Sequence, residues 1–482
     1  MRSRNFFAAL LVATSTLLML GCEAGSRLKK EQADLVITGA TVIHPEKDDE
    51  AIVEDIVIKD GRILAVGPDV GGRFESKEFY DARGKFIIPG LADMHSHFGN
   101  GILAPEEDDT NQVLARHLYF GNTTILNLGS FQAWPKRIDQ LRSEMESGDV
   151  QGPRLLAVGS LMTMPGSHPV ATIYSPPLQK KIEEIVAEDD GEGPIDLSPL
   201  RATTLVRDAD DVSEEVKRVG EWGADAIKIT VESGPELFGD DHPQMTPEMI
   251  RAAADAAKPF GIPVLCHVSS MDELEACLAN GAKGIVHGVT DNTEVFPDDI
   301  ESSMTSSGFV QIPTAGMFDG WRRYTADVTL LDNDILKPVL SDSERAWLKS
   351  AQMVEDFSSD AEWDAAVERL GEHLKRFHDL GGMIVAGTDT GNPYRIAGLS
   401  LHEEIAFYVR YGLTPREALK TATINAATLV GAEKEWGTIR NGHAADLLIL
   451  NRNPLDDIAN TAAIADVIKA GKLVDREALP LR

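Results

Sequence analysis

Two histidines one residue apart, His95-Ser96-His97, follow the short run Leu91-Ala92-Asp93-Met94. Side chains of an extended segment alternate with period two, so both imidazoles fall on one face and can reach one cation. Imidazole nitrogen and carboxylate oxygen suit borderline divalent ions such as zinc, and a catalytic site keeps a position open for water. A His-x-His by itself is a weak signal. It gains weight because His267, His287 and Asp389 also stand at the ends of short apolar runs, and Lys228 sits inside Gly223-Ala224-Asp225-Ala226-Ile227-Lys228-Ile229-Thr230. A lysine within an apolar strand costs desolvation energy, and near a dication its amine is easily deprotonated. A neutral amine can capture carbon dioxide as a carbamate, in effect a long carboxylate able to bridge two metal ions. The alternative for Lys228 is an ordinary ion pair across the site.

These residues need elements that bring them together. Between residues 90 and 428 short apolar runs alternate with helical stretches, the pattern of βα units and a parallel sheet. Eight candidate strands cover 91–95, 123–128, 154–159, 226–230, 263–267, 284–287, 309–313 and 383–388. That count predicts an α/β fold, a (β/α)8 TIM-like barrel, whose strand C-termini converge on one mouth. His95, His97, His267, His287, Asp389 and Lys228 would meet there. Helices are expected over 212–222, 247–258 and 272–279. Two inserts, 168–203 after the third strand and the largely helical 315–378 after the seventh, would shape the pocket. Short β-rich runs lie in 33–89, with Asp60-Gly61 as a hairpin turn, and again in 429–482, so both chain ends are expected to build one small β-sandwich.

The chain has 482 residues, 43% of them hydrophobic and 26% charged, the composition of a folded globular protein. Its formal charge of -31 repels phosphate backbones and anionic headgroups and argues against nucleic-acid binding. Residues 6–20 are apolar and follow Arg2 and Arg4, too short a stretch to span about 30 Å of hydrocarbon but suited to an export signal. The run Met19-Leu20-Gly21-Cys22 resembles a bacterial lipobox, which implies a signal peptide over 1–21, lipidation of Cys22 and a polar tether over 22–32. A plain secretory signal is the alternative. The expected location is the cell envelope, lipid-anchored and facing the periplasm or exterior, with the membrane touched only through the anchor. The other two cysteines, Cys266 and Cys277, are too few for a disulfide scaffold.

The motifs together resemble the amidohydrolase superfamily over essentially the whole mature chain. Ile88-Pro89-Gly90-Leu91-Ala92-Asp93-Met94-His95-Ser96-His97 is similar to its first-strand signature, and Ala386-Gly387-Thr388-Asp389 to that of its eighth. Gly437-Thr438-Ile439 and Gly442-His443-Ala444-Ala445-Asp446-Leu447 resemble its return into the sandwich. Lys228 in its context and Gly152-Pro153-Arg154 resemble the imidazolonepropionase-like and Xaa-Pro or Xaa-Arg dipeptidase branch. The resemblance implies that His95, His97 and Asp389 bind the more buried metal, that His267 and His287 bind the other, and that carboxylated Lys228 bridges them. It implies a hydroxide between the metals attacking a scissile carbonyl, with Asp389 moving the proton to the leaving amine. His168, in Pro165-Gly166-Ser167-His168-Pro169, stands where relatives carry a Gly-His able to polarise that carbonyl; a loop histidine without a role is the alternative.

The expected activity is hydrolysis of a small-molecule amide, by a dipeptidase or an N-acyl amino acid hydrolase. A cyclic amide, a lactone or a phosphoester is the alternative substrate, and a non-catalytic binding lipoprotein the alternative of another class. Tyr324, Arg322, Arg323 and Arg395 are candidates to bind a substrate carboxylate through charge-assisted hydrogen bonds. Relatives often associate, so a homo-oligomer is a further expectation.

Overall fold

The structure is a computed structural model that describes residues 30–49, 51–97, 110–129, 135–200, 203–233, 241–289, 297–358 and 361–482. The expected signal segment 1–21, Cys22 and the tether as far as residue 29 lie outside the described residues. Among the described residues no helix is long and apolar enough to cross a membrane.

Apolar alternation builds the first sheet. β1 (Glu31–Val42) turns Leu35 and Ile37 into one buried cluster and Val36 into another. It pairs antiparallel with β2 (Ile52–Lys59), which leads into β3 (Arg62–Gly67). The hairpin turn falls on Asp60 and Gly61, with φ of 49° and 74°, the mirror-image turn that matches strand twist. β1 also pairs in parallel with β4 (Phe74–Asp81) along its first part and with β5 (Phe86–Pro89) at its end.

The barrel-like unit follows. β6 (Leu91–Ser96), β7 (Asn122–Asn127) and β8 (Arg154–Ala157) form a parallel three-stranded sheet. β9 (Leu161–Thr163), β10 (Ile195–Asp196), β11 (Thr203–Leu205), β12 (Ile227–Thr230), β13 (Val264–His267), β14 (Gly284–Val286), β15 (Val310–Ile312) and β16 (Met383–Ile384) form a second, in the order β10-β11-β9-β12-β13-β14-β15-β16. The ladder is not continuous around a barrel. Backbone bonds outside the ladders link the two sheets: Met94 N donates to Ala386 O at 3.0 Å, Asp389 N to His95 O at 2.7 Å and His97 N to Thr390 O at 2.6 Å on one side, and Asp225 N to Ala157 O at 2.9 Å on the other. The result is a TIM-barrel-like α/β fold with strands at all eight expected places.

Period two decides what each strand shows to each side. On β12 Ile227 and Ile229 join the large cluster under the helices, whereas Ala226 joins a smaller cluster with Leu265, Val286, Val310 and Ile312. Lys228 shares the face of Ala226. The helix Ala209–Trp222 starts earlier than its apolar pattern predicted because Asp208 caps it, accepting from the backbone N–H groups of Asp210 and Asp211. In the first insert the helix Pro176–Glu188 precedes β10 and β11, and the second insert is helical, including Ala315–Ala326 and Ala361–Asp379.

The chain then returns to its beginning. β17 (Leu447–Leu450) pairs antiparallel with β5, then β18 (Ile464–Lys469) with β17 and β19 (Lys472–Leu473) with β18. The strands of both chain ends therefore share one eight-stranded sheet, β19-β18-β17-β5-β1-β2-β3 with β4 beside β1. Its hydrogen bonding is that of a single branched sheet, because β1 changes partner from β4 to β5 along its length.

Candidate metal centre and active-site cavity

The ends of β6, β12, β13 and β14 and the segment after β16 bring the chemically capable side chains to one place. Lys228 and His267 reach it by strand alternation. His287 does not, since it follows β14 with φ of 69°, and Asp389 follows β16 with φ of 56°. These left-handed conformations, strained for residues with a Cβ, turn both side chains inward at the strand ends. Gly391, with φ of 115°, lets the chain after Asp389 press against His97, where a Cβ would stand 2.8 Å from His97 Cβ.

The donor atoms converge. His95 Nε2 and His97 Nε2 are 3.2 Å apart, and they lie 3.4 and 3.3 Å from Asp389 Oδ1. Lys228 Nζ is 3.2 Å from His95 Nε2. His287 Nε2 is 3.1 Å from His267 Nδ1, while His287 Nδ1 meets Thr314 Oγ1 at 2.8 Å. Two trios, His95 with His287 and Asp389, and His168 with Glu232 and His267, each keep their donor atoms within 4.8 Å of one another. All six residues of these trios, with His97 and Lys228, are buried.

Burial, followed by the charge of Lys228 and neighbouring imidazoles, holds His95, His267 and His287 well below the usual imidazole value. The rings are uncharged at neutral pH and offer lone pairs. Burial likewise lowers the Lys228 amine to about 8, against the pull of Asp389 and Glu232. Burial would raise Asp389, but the hydrogen bond to His97 and the neighbouring positive charges outweigh it, and the carboxyl sits below its ordinary value. Neutral imidazoles packed nitrogen to nitrogen around a carboxylate are a poor arrangement by themselves and a good one around divalent cations. The donor set therefore fits metal.

Glu232 escaped the sequence reading. Its Oε2 lies 2.6 Å from His267 Nε2 and 3.7 Å from His168 Nδ1, and its Oε1 is buried without a hydrogen-bond partner among the described residues. With a carboxylate oxygen as its partner at 2.6 Å, His267 Nε2 carries the ring proton and Nδ1 keeps its lone pair toward His287. The available signal was period two, because Lys228, Thr230 and Glu232 alternate onto one side of the extended chain. Two further buried carboxylates brace the site. Asp93 accepts from His95 N, Thr388 N and Thr388 Oγ1 at 3.2, 3.0 and 2.6 Å, tying β6 to the segment that carries Asp389. Glu273 forms a capping box with Ser270 and also accepts from Ser233 N and Ser269 N, at 2.7 and 2.8 Å, which fixes the backbone beyond Glu232 and His267.

A cavity of about 450 Å³ opens beside these groups. His97, His168, Lys228, Glu232, His267, His287 and Asp389 line it, and both inserts supply walls, Pro169, Thr172, Ile173 and Tyr174 from one and Met317, Phe318, Trp321 and Trp363 from the other. His168 is thus brought to the site, where burial pushes its pKa down to about 3 and Thr172 Oγ1 holds its Nδ1 at 2.8 Å. The four candidates for carboxylate binding need correction, since none lines the cavity. Arg322 pairs with Asp319 at 2.7 Å, and Arg323 and Tyr324 with Glu403 at 2.8 and 3.0 Å. Arg395 is buried and donates to the carbonyls of Thr388, Gly316 and Ser400. Their charges and hydroxyl are used in packing the helix Ala315–Ala326 against its neighbours.

Known proteins resemble the chain across this same span. It is 25% identical to an ochratoxinase from Aspergillus niger over 471 residues, covering 92% of this chain and 87% of that protein. It is 24% identical to an imidazolonepropionase from Chloroflexus aggregans, covering 92% of this chain and 99% of that one. A solved Xaa-Pro dipeptidase with methionine bound in its active site shares the fold, with a TM-score of 0.68 at 23% identity over 91% of this chain and 99% of that one. Residues 86–474, which hold the barrel-like unit and every donor of the centre, match the amidohydrolase family, and the chain belongs to that family.

Proposed function

We propose that the protein is a binuclear metal-dependent hydrolase that cleaves an amide bond of a small molecule through His95, His97, Lys228, His267, His287 and Asp389. The observation that carries this reading is the convergence beside one cavity of the donor atoms of His95, His97, Lys228 and Asp389, and of His267 and His287, with neighbouring donors 3.1 to 3.4 Å apart. His95, His97 and Asp389 would hold one ion, His267 Nδ1 and His287 Nε2 the other, and Lys228, as its carbamate with carbon dioxide, would lie between them. Zinc suits this nitrogen-rich set. Divalent cations held there supply Lewis acidity for the scissile carbonyl and lower the pKa of water at the site.

The chain's own residues do the remaining work. Asp389 lines the cavity as an ionised carboxylate, so it can take a proton from the attacking water and return it to the leaving amine. His168, uncharged and facing the same cavity, can donate a hydrogen bond to the substrate carbonyl from its ring N–H. Glu232 fixes the tautomer of His267, and Asp93 fixes the approach of β6 to Asp389. The two inserts supply apolar walls beside the reacting bond.

Metal content per chain tests the reading. Protein lacking residues 1–21, prepared with zinc and bicarbonate, should carry two ions per chain, falling to one or none in Lys228→Ala. Fewer than one ion in the unaltered protein would overturn it in favour of a binding module. Export with a lipid tether at Cys22 belongs to the same proposal, and Cys22→Ser should abolish labelling by radioactive palmitate in a bacterial host.

A further inference from the structure

One wall of the cavity is aromatic. Trp321 and Trp363 stack with ring centroids 6.0 Å apart and 17° between their planes. Phe318 meets both edge-on, at 5.8 and 5.2 Å. All three line the cavity, and Tyr174 lines it from the other insert. Trp321 Nε1 donates to Pro393 O at 3.0 Å, which orients its ring. Flat rings gain offset-stacked or edge-to-face contacts from surfaces of this kind, beyond the burial of their area.

Charge supplies the second observation. Among the described residues lining the cavity there is no arginine, and the one lysine is Lys228 at the metal centre. Arg322, Arg323 and Arg395 are taken up by Asp319, Glu403 and backbone carbonyls. Outside the described residues, the segments 98–109, 130–134, 234–240, 290–296 and 359–360 contain no Lys, Arg or His in sequence, and residues 201–202 add one arginine, Arg201. A dipeptide or an N-acyl amino acid, the substrates implied by the sequence resemblance, carries a carboxylate next to its scissile amide. Apart from the metal centre, which engages the scissile amide, the described lining offers no cation to meet that carboxylate, and removing it from water unpaired is costly. The net charge of -31 works in the same direction.

We propose that the substrate is a neutral aryl amide: the portion entering the cavity is a large flat apolar group, seated on Phe318, Trp321 and Trp363, without a carboxylate. This rests on the amide-hydrolase reading above and narrows its substrate class away from dipeptides and acyl amino acids.

The test uses the zinc-loaded full chain and three probes: para-acetamidobenzamide, its anionic counterpart para-acetamidobenzoate, and the ring-free N-butylacetamide. Amine release and quenching of tryptophan fluorescence are both read. The neutral aryl amide should be cleaved with kcat/KM at least about tenfold above either of the others. In Trp363→Leu the KM for that probe should rise about tenfold with kcat little changed, and its advantage over N-butylacetamide should vanish, while zinc content stays the same. Equal or faster cleavage of the benzoate would overturn the proposal and leave the hydrolase reading standing. So would a Trp363→Leu protein, folded and zinc-loaded, with unchanged discrimination. If no probe is cleaved but the neutral ring quenches fluorescence about tenfold more tightly than the benzoate, the substrate class stands and the hydrolase reading falls. Absence of both cleavage and selective quenching would overturn both.

Discussion

Replacing Glu232 with glutamine probes the residue that orients His267 at the second of the two proposed metal positions. Glu232 Oε2 accepts from His267 Nε2 at 2.6 Å, and the opposite ring nitrogen of His267 faces His287 at 3.1 Å. A glutamine carbonyl can still accept that proton, so the tautomer survives while the charge assistance is lost. Hydrogen bonds to charged groups contribute about 1.5–3 kcal/mol and neutral ones about 0.5–1.5, a difference on the order of 1–1.5 kcal/mol. That corresponds to about tenfold weaker zinc binding at the site of His267 and His287. Alanine leaves the Nε2 proton buried without an acceptor, and the loss should approach a hundredfold, the upper end of what outer-layer partners of metal ligands typically contribute. The assay is a zinc titration against a competing chelator of known affinity, on the unaltered protein and both variants. One ion should weaken in the order unaltered, Gln, Ala, while the ion held by His95 and His97 keeps its affinity. Two ions bound with unaltered affinity in Glu232→Ala would refute the reasoning, as would equal weakening of both.

Three further outcomes follow from the same contacts. Asp389→Asn, which keeps an oxygen near His97 but cannot carry the proton, should lose about a hundred- to ten-thousandfold in kcat while some zinc remains bound, checked by steady-state kinetics beside metal analysis. Arg395→Met should cost about 3–5 kcal/mol in chemical denaturation, because it removes a buried cation from Glu403 and its donors from three carbonyls, and should leave KM unchanged in whatever protein stays folded. Stripping metal with a chelator should lower the melting temperature, and free zinc at a hundred times its Kd should restore about 2.7 kcal/mol, read by differential scanning calorimetry.

Much of the centre was legible because its chemistry is local. The His-x-His of β6, the lysine within the apolar β12 and the histidine ending β13 follow from residue type and period two, and their strands lie where alternation placed them. His287 was legible as the residue at the end of a short apolar run, and only its orientation was not. Its strand stops at Val286, and a left-handed residue, not continued alternation, aims the ring inward. Glu232 was readable in principle from its spacing to Lys228, but its importance depends on His267, 35 residues later. The arginines and Tyr324 show the opposite failure. A charged side chain on an active-site insert reads as a substrate ligand until its partners are known, and Glu403 lies 80 residues from Arg323.

The sequence by itself determined the donor types, the strand and helix periodicity that carries them, the absence of basic residues in the barrel's undescribed segments apart from Arg201, and the family. Each is a property of single residues or of short windows. Tertiary structure alone decided which donors meet. Lys228 stands 133 residues from His95, and their 3.2 Å approach depends on how β6 and β12 are packed into the same unit. It also decided that Glu232 holds His267, that the arginines face inward to carboxylates and carbonyls, and that two tryptophans from separate helices form one wall. Those outcomes depend on distances between elements, which packing sets and local periodicity does not encode.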